Sequence, residues 1–255
     1  MTISTRSCAR PWNGNGDSIR ETQRAVIRVE QTDGIFDRVH FSLLGLEKRV
    51  ADLRGRGVYA GFPDRHHCIF VHIPKTAGMA IVESLFPGER SRHDPYYVYR
   101  QANARKFRSY FKFAFVRNPW DRLVSSYAFL RDGGNDVEDK EWSRRNLAPY
   151  PDFKTFVMRW LTPENARSWI HFIPQCNFVC DLGGKLMIDF VGRFENLDAD
   201  VRVVADKLGR SAPLLRANPS NHAPFATYFD DESAERVRAV YARDMTAFGY
   251  PMDPR

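Results

Sequence analysis

The sequence predicts an α/β fold with a mainly parallel sheet flanked by helices, and two observations lead to this prediction. First, apolar runs typical of buried strands, at residues 68–73, 111–116 and 186–193, alternate with segments of helical periodicity. Strands that alternate with helices are joined by crossover connections and therefore run parallel. Second, the first two runs each end in a turn with a cationic residue at its edge, followed by a helical pattern. This arrangement builds a phosphate-binding turn, because it brings a positive side chain to the unpaired N–H groups at a helix N-terminus.

Helices are predicted where apolar residues recur every three or four positions after a capping residue. One helix spans residues 77–86, after the first turn. Asn118, followed by a proline at the first helical position, caps the helix after the second strand, and Asp152 caps a further helix. The remaining predicted helices span residues 195–208 and 231–248.

Two long connections separate these elements. Residues 131–151 are polar and contain Gly133-Gly134 and Pro149, which predicts a long surface excursion. Residues 210–229 contain three prolines, which predicts an irregular loop.

Residues 1–63 are predicted to be an N-terminal extension, made of a mobile tail and an amphipathic helix, and residues 64–255 to form the domain. Between positions 35 and 53, apolar residues recur every three or four residues, as on the buried face of a helix. That face packs against the chain's own domain, or against a second copy in a homodimer through helix 35–53. The sequence leaves both arrangements open.

The composition favours an anionic ligand and argues against several classes of protein. The formal net charge is +7, and 38 basic residues are dispersed among 31 acidic ones, without the basic tract of a nucleic-acid-binding protein. No apolar run is long enough to span a bilayer, and the N-terminus lacks the apolar segment of a secretory signal. We therefore expect a cytoplasmic protein with no membrane or nucleic-acid partner. The four cysteines are expected to be free thiols, and Cys176 and Cys180 lack a second ligand pair, so no metal site is expected.

Two segments carry the candidate chemistry: the turn Lys75-Thr-Ala-Gly78, and Arg117 with Ser125 eight residues later. A helix N-terminus presents unpaired N–H groups and the positive end of its dipole, and Lys75 adds a full charge to one such terminus. Arg117 directly follows the second strand and can form two parallel hydrogen bonds to a phosphate, to which Ser125 can add a hydroxyl. Two such sites in one domain predict a ligand with two separate phosphate-like groups.

These motifs resemble those of the sulfotransferases that use 3′-phosphoadenosine-5′-phosphosulfate (PAPS), in the branch with bacterial carbohydrate-type enzymes and heparan sulfate 2-O-sulfotransferase. The resemblance covers roughly residues 66–250 and includes segments 189–197 and 248–250. It implies a sulfotransferase or P-loop NTPase-like fold. It also implies a transferase that moves a sulfuryl group from PAPS to a hydroxyl of an acceptor, a carbohydrate, by in-line displacement with no metal.

The resemblance also assigns residues to the site. Lys75 is expected to neutralise the leaving phosphate oxygen, and Arg117 and Ser125 are expected to hold the 3′-phosphate. Related loops commonly continue with Thr-Ser where this chain has Met79-Ala80, so two potential hydroxyl donors are missing and we expect weaker cofactor binding. The loop residues expected to bind the cofactor are Lys75, Thr76, Ala77, Gly78 and Met79.

A general base should deprotonate the acceptor hydroxyl, and histidine suits that role near neutral pH. His93 is our candidate, because it lies in a polar loop between the two phosphate motifs. The heparan sulfate 2-O-sulfotransferase branch has a catalytic histidine in the same interval. His171 and His222 are the alternatives that remain open.

Two other functions remain open as well. A protein that binds PAPS or its product without turnover would account for the departure at Met79-Ala80. A P-loop-type nucleotide kinase fits less well, because the chain has no G-x-x-x-x-G-K-[ST] motif and Lys75 precedes its glycine instead of following it.

Overall fold

The computed structural model describes residues 45–211 and 223–255 of the chain. In this part of the chain three strands form one parallel sheet, in the order β1 (Cys68–Val71), β2 (Phe111–Val116) and β3 (Phe190–Arg193). Because neighbouring strands run in the same direction, their carboxyl ends lie at the same edge of the sheet. The predicted α/β fold with a parallel sheet is confirmed.

Helices flank this sheet, and none of those described is long and apolar enough to cross a bilayer. Residues 45–53 are helical, and two short 3₁₀ turns span Phe194–Asn196 and Phe225–Tyr228. The helices that follow are α1 (Phe62–His66), α2 (Gly78–Leu85), α3 (Tyr96–Ala102), α4 (Ala104–Ser109), α5 (Pro119–Arg131), α6 (Val137–Asn146), α7 (Phe153–Trp160), α8 (Pro163–Ser168), α9 (Cys176–Val179), α10 (Leu197–Lys207) and α11 (Asp231–Phe248).

Both faces of the sheet are buried. Ile69 and Val71 of β1 belong to a large apolar cluster with residues of α5, α7 and α11. Cys68 and Phe70 belong to a second cluster with residues of α2 and α10. A strand covered on both faces is apolar throughout, which is why the strand runs show no alternation with polar residues.

The stretch 131–151 was predicted to be a surface excursion, and that prediction is wrong because the stretch contains α6. Trp142 anchors this helix to the domain. Its ring is buried, and its ring centroid lies 5.3 Å from those of both Trp160 and Trp169. Val137, the other apolar residue of α6, is exposed. With one buried apolar residue, α6 shows no apolar stripe from which its helical period could be recognised.

Strand β3 is shorter than its predicted span of 186–193. It begins at Phe190, because Leu186 pairs with Cys180 in an isolated antiparallel bridge. The chain therefore turns between that bridge and the sheet instead of extending through it.

The helical segment 45–53 contacts the domain through Asp52. The Asp52 carboxylate accepts a hydrogen bond from Lys106 Nζ at 3.1 Å, whereas Leu53 on the same segment is exposed. The rest of the predicted extension, residues 1–44, lies outside the described residues. The domain division and the homodimer through helix 35–53 therefore stay predictions.

Candidate functional site

The two phosphate motifs lie side by side at the carboxyl edge of the sheet. β1 and β2 are neighbouring parallel strands, so the turns that follow them meet there. Helix α2 begins at Gly78 and α5 at Pro119, directly after these turns. One contact joins the motifs, because Arg117 Nη1 donates to the Lys75 carbonyl oxygen at 3.3 Å.

The turn after β1 has a left-handed backbone at two residues that are not glycine. The φ angle is 69° at Lys75 and 64° at Ala77, the N-cap of α2. This conformation costs about 1–2 kcal/mol per L-residue, and such strain concentrates at functional sites. Left-handed residues in a turn direct successive N–H groups toward one concavity, a nest that binds anions, and the free N–H groups at the start of α2 add to it.

Gly78 is required by packing against a histidine. A Cβ at residue 78 would lie 2.0 Å from His72 Nε2. The His72 ring is itself stacked on Phe70, with centroids 5.2 Å apart, and is buried. Glycine therefore lets α2 start directly against the end of β1, a role that the sequence did not reveal.

Thr76 is buried, and its hydroxyl is used within the turn. Thr76 Oγ1 donates to the Ile73 carbonyl oxygen at 2.9 Å. A hydroxyl has one proton to donate, so this bond fixes the turn instead of leaving a donor for a phosphate. Met79, in contrast, is exposed on the first turn of α2. In this loop the backbone N–H groups and the Lys75 ammonium are therefore the main groups that can bind an anion.

Lys75 carries its ammonium in a partly buried, cationic setting. Its Nζ lies 3.8 Å from the centroid of the Phe129 ring, which is a cation–π contact. Burial and then the charge of Arg117 lower the pKa of Lys75 to about 8, and Asp139 acts in the opposite direction. Lys75 is therefore charged at neutral pH but titrates within reach of physiological conditions.

Arg117 is held from several sides and is 4% exposed. Its Nε donates to Asp121 Oδ2 at 2.7 Å, and its guanidinium lies 4.0 Å from the centroid of the Phe194 ring. Gln175 holds its backbone, because Oε1 accepts from the Arg117 N–H at 2.9 Å and Nε2 donates to the Arg117 carbonyl at 2.8 Å. These contacts orient the guanidinium at the start of α5.

Ser125 lies two turns along α5 from Arg117 and is buried. Arg122, on the same helix, donates from Nε to the Pro74 carbonyl at 3.0 Å and from Nη2 to the His171 carbonyl at 3.2 Å. Arg122 therefore connects α5 to the turn after β1 and has a structural role.

His93 lies beside the end of β1. Its Nδ1 is 2.8 Å from the His72 carbonyl oxygen, and because a carbonyl only accepts, Nδ1 carries the proton and Nε2 presents a lone pair. Burial lowers the pKa of His93 to about 4, although the hydrogen bond to His72 acts in the opposite direction. His93 is therefore neutral at physiological pH, which is the form that can accept a proton.

His171 lies in the same region, beside an acid that sequence reasoning missed. His171 Nε2 is 3.1 Å from Asp139 Oδ1, and the His171 ring centroid is 5.0 Å from that of Phe129. Asp139 is buried on the first turn of α6. It was missed because α6 itself was not predicted, and nothing in that polar stretch distinguishes one carboxylate from another.

The predicted site residues are thus brought together to different extents. Lys75 and Arg117 are in contact through the Lys75 carbonyl. His93 and His171 are close enough for the charge of one to lower the pKa of the other's ring. His222, the third candidate base, lies outside the described residues. Within the described ranges, no group of three or more His, Cys, Asp or Glu side chains could hold a metal ion.

A cavity of about 320 Å³ opens beside the loop that carries His93. Ser91 lines this cavity, and its Oγ is 2.8 Å from His72 Nδ1, so the cavity and the end of β1 share a wall. The charged residues that line it are Arg65, Glu89, Arg90 and Arg92.

Comparisons with known proteins point to one family. A profile described as "Sulfotransferase family" matches residues 62–251. Carbohydrate sulfotransferase 10 of Mus musculus is 26% identical over 176 residues, which are 57% of this chain and 48% of the relative. Carbohydrate sulfotransferase 14 of Homo sapiens is 28% identical over 169 residues, which are 58% of this chain and 44% of the relative. The chain thus spans about half the length of these curated relatives.

An archaeal protein is also similar. An uncharacterized protein of Archaeoglobus fulgidus is 31% identical over 105 residues, which are 40% of this chain and 71% of that protein. No solved structure gives a significant match.

Proposed function

The chain belongs to the sulfotransferase family, and we propose that it moves a sulfuryl group from PAPS to a hydroxyl of a carbohydrate acceptor. The observation that carries the proposal is a pair of adjoining anion sites. One is the nest with Lys75, and the other is the guanidinium of Arg117, whose Nη1 donates to the Lys75 carbonyl oxygen at 3.3 Å. PAPS has phosphate groups at both ends of its ribose, which matches two adjacent sites. Relatives named as carbohydrate sulfotransferases support a carbohydrate acceptor.

The hydrogen-bond donors at the ends of β1 and β2 suit the 5′-phosphosulfate and the 3′-phosphate of PAPS. The N–H groups of the turn and of α2, with Lys75, would hold the 5′-phosphosulfate. Arg117 and Ser125 would hold the 3′-phosphate, with Phe194 stacked on the guanidinium. When bound, PAPS supplies the sulfuryl group and the leaving phosphate oxygen.

The proposed reaction is an in-line displacement. The acceptor oxygen bonds to sulfur while the bond from sulfur to the phosphate oxygen breaks, and the electron pair of that bond stays on the phosphate oxygen. Lys75 neutralises the charge that develops there. His93 takes the proton of the acceptor hydroxyl on Nε2, the nitrogen that its bond to the His72 carbonyl leaves unprotonated.

We place the acceptor in the cavity that Ser91 shares with the end of β1. Arg65 is paired with Glu89 at 2.6 Å and Arg92 with Asp94 at 2.5 Å, but Arg90 has no acidic partner within the described part of the chain. A cationic wall of this kind suits an acidic saccharide.

The nucleotide specificity tests the proposal directly. Calorimetry should show that 3′-phosphoadenosine-5′-phosphate (PAP) binds far more tightly than 5′-ADP or ATP, because Arg117 and Ser125 recognise the 3′-phosphate. Equal affinities for the three nucleotides would contradict the assignment.

A protein that binds PAPS without turnover is the second candidate, favoured by the exposed Met79 where related loops carry a hydroxyl. An assay with labelled PAPS and a broad panel of saccharides separates the two functions. Tight PAP binding with no sulfate transfer to any acceptor would favour the binding protein.

Two further expectations remain proposals. A cytoplasmic location would be tested by fractionating cells that produce the tagged chain. The homodimer through helix 35–53 would be tested by light scattering on the full chain.

A further inference from the structure

We propose that Asp139 and His171 form a positioning pair for Lys75, which keeps the lysine charged and directed at the anion nest. The inference rests on the proposed function of Lys75 at that nest. Lys75 and His171 both lie against Phe129, with Nζ 3.8 Å and the imidazole centroid 5.0 Å from the Phe129 centroid. Asp139 Oδ1 is 3.1 Å from His171 Nε2. The acid, the histidine, the aromatic ring and the lysine thus form one contiguous set.

The hydrogen bond to Asp139 fixes the tautomer of His171. A carboxylate only accepts, so Nε2 carries the proton and Nδ1 holds a lone pair. Within the described part of the chain, His171 Nδ1 is buried and has no hydrogen-bond partner. A buried acceptor without a donor is unfavourable, and native proteins rarely leave one unpaired. The ammonium of Lys75, on a flexible stem beside the same Phe129 ring, is the donor that we assign to it.

The charges around Lys75 give Asp139 a specific role. Arg117 at the end of β2 and Arg122 on α5 both disfavour a further positive charge, as does burial. Asp139 on α6 is the acid that opposes them, and His171 lies between the two groups in this network. Without Asp139, the charged form of Lys75 would therefore be less stable.

Neighbouring residues hold both Asp139 and His171 in place. Gly134 has φ +62°, and a Cβ there would lie 2.2 Å from the Asp139 Cβ, so the turn before α6 leaves room for this acid. Asp139 Oδ2 accepts from the Asn135 N–H at 3.2 Å. On the other side, Ser126 Oγ donates to the His171 carbonyl at 2.9 Å. Both members are therefore fixed to the elements that surround Lys75.

The test is the affinity for PAP, measured by calorimetry from about pH 7 upward, where its phosphates have largely completed their second ionisation. In the native chain, the affinity should fall as the pH rises through about 8, because Lys75 loses its proton there. Asp139→Asn removes the charge that raises the pKa of Lys75. The affinity of this variant should therefore already be falling at about pH 7, where the native chain still binds PAP at full strength.

Two matched variants on the same helix separate charge from folding. Glu138→Gln removes a neighbouring acid that has no part in the network. In this variant the PAP affinity should fall with the same pH midpoint as in the native chain. Asp136→Ala removes the N-cap of α6, whose Oδ1 accepts from the Asp139 N–H at 2.8 Å, and it should also keep the midpoint. If Asp136→Ala moves the midpoint as far as Asp139→Asn does, loosening of α6 explains the shift and the proposal is overturned.

Lys75→Arg identifies the titrating group. A guanidinium stays charged at all these pH values, so the fall in affinity should disappear in both the native and the Asp139→Asn background. If Asp139→Asn fails to fold, Asp139→Ser, which keeps a short acceptor for the Asn135 N–H, takes its place. A native midpoint in the Asp139 variant overturns this proposal, whereas a native chain that does not bind PAP overturns the proposed function instead.

Discussion

The two strand ends that form the site differ in how firmly their cationic groups are held. At the end of β2, Arg117 is 4% exposed and is fixed through its guanidinium by Asp121 and through its backbone by Gln175. At the end of β1, Lys75 lies in a strained turn, with its ammonium on the face of Phe129. One end is thus preorganised, and the other carries a group whose lowered pKa allows its charge to change near physiological pH.

This difference suggests a division of labour. A guanidinium that is already oriented loses little conformational freedom when a phosphate binds, so the β2 end should contribute mainly to nucleotide affinity. In the proposed reaction, the ammonium of Lys75 and the neutral imidazole of His93 would act on charge that develops during the reaction, so they should contribute mainly to turnover. Four substitutions test this division, and the expected effect decreases from the first to the last.

Lys75→Ala should have the largest effect, a loss of turnover of about 10²–10³, because it removes the charge that we propose stabilises the leaving oxygen. PAP affinity should fall as well, by a smaller factor, because in the proposed complex Lys75 would also contact the nucleotide. Rates at saturating PAPS and calorimetry with PAP measure the two effects. Lys185→Ala, at an exposed lysine, is the control. An effect on affinity alone would contradict the division.

His93→Ala should lower turnover by about a hundredfold or more, the usual contribution of a general base, while PAP binds normally. Because His93→Ala also removes the hydrogen bond to the His72 carbonyl, the melting temperature is measured beside the rate. Turnover is measured at saturating PAPS with any acceptor that the native chain sulfates. His67→Ala, at an exposed histidine, is the control. Native turnover in His93→Ala, with loss in His171→Ala or His222→Ala, would move the base to one of those residues.

Arg117→Ala should weaken PAP binding by about 1.5–3 kcal/mol, the value of a charge-assisted hydrogen bond, which is roughly 10- to 150-fold in affinity. Ser125→Ala should weaken it less. Because Arg117→Ala also leaves Asp121 without its partner, the melting temperature must be measured beside the affinity. Arg202→Ala, at an exposed arginine, is the control, and native affinity in Arg117→Ala would place the 3′-phosphate elsewhere.

Met79→Thr combined with Ala80→Ser should have the smallest effect, a gain in PAP affinity of about 0.5–1.5 kcal/mol for each hydroxyl that reaches the 5′-phosphate. Met79 is exposed, so the change removes no packing from the core. Calorimetry measures the gain. Unchanged affinity would show that the nest binds through backbone N–H groups and Lys75 alone.

The regular elements of the sheet and its neighbours could be predicted because their signals are local. The run 111–116 is strand β2 at the same bounds, and the segment 231–248 is helix α11, capped by Asp230. Asn118 and Asp152 cap the helices that their positions predicted. In each case a few neighbouring residues carry the whole signal, either a continuous apolar run or a capping side chain before a periodic stripe.

The elements that were missed depend on distant partners. α6 is a helix because Trp142 packs against Trp160 of α7 and against Trp169, which directly follows α8. The same dependence hid Asp139, whose partner His171 is 32 residues further along the chain. No local pattern can report a contact of that kind.

The two strand–turn–helix units, the glycine at the first turn and the candidate cations Lys75 and Arg117 could be predicted from the sequence, because each rests on a few consecutive residues. The folded structure was needed to show that Arg117 meets the Lys75 carbonyl, that Gln175 holds Arg117, and that His72 leaves no room for a side chain at Gly78. These contacts join residues that are far apart in sequence. Their geometry is set by the register of the sheet and the packing of helices on it, which no short segment encodes.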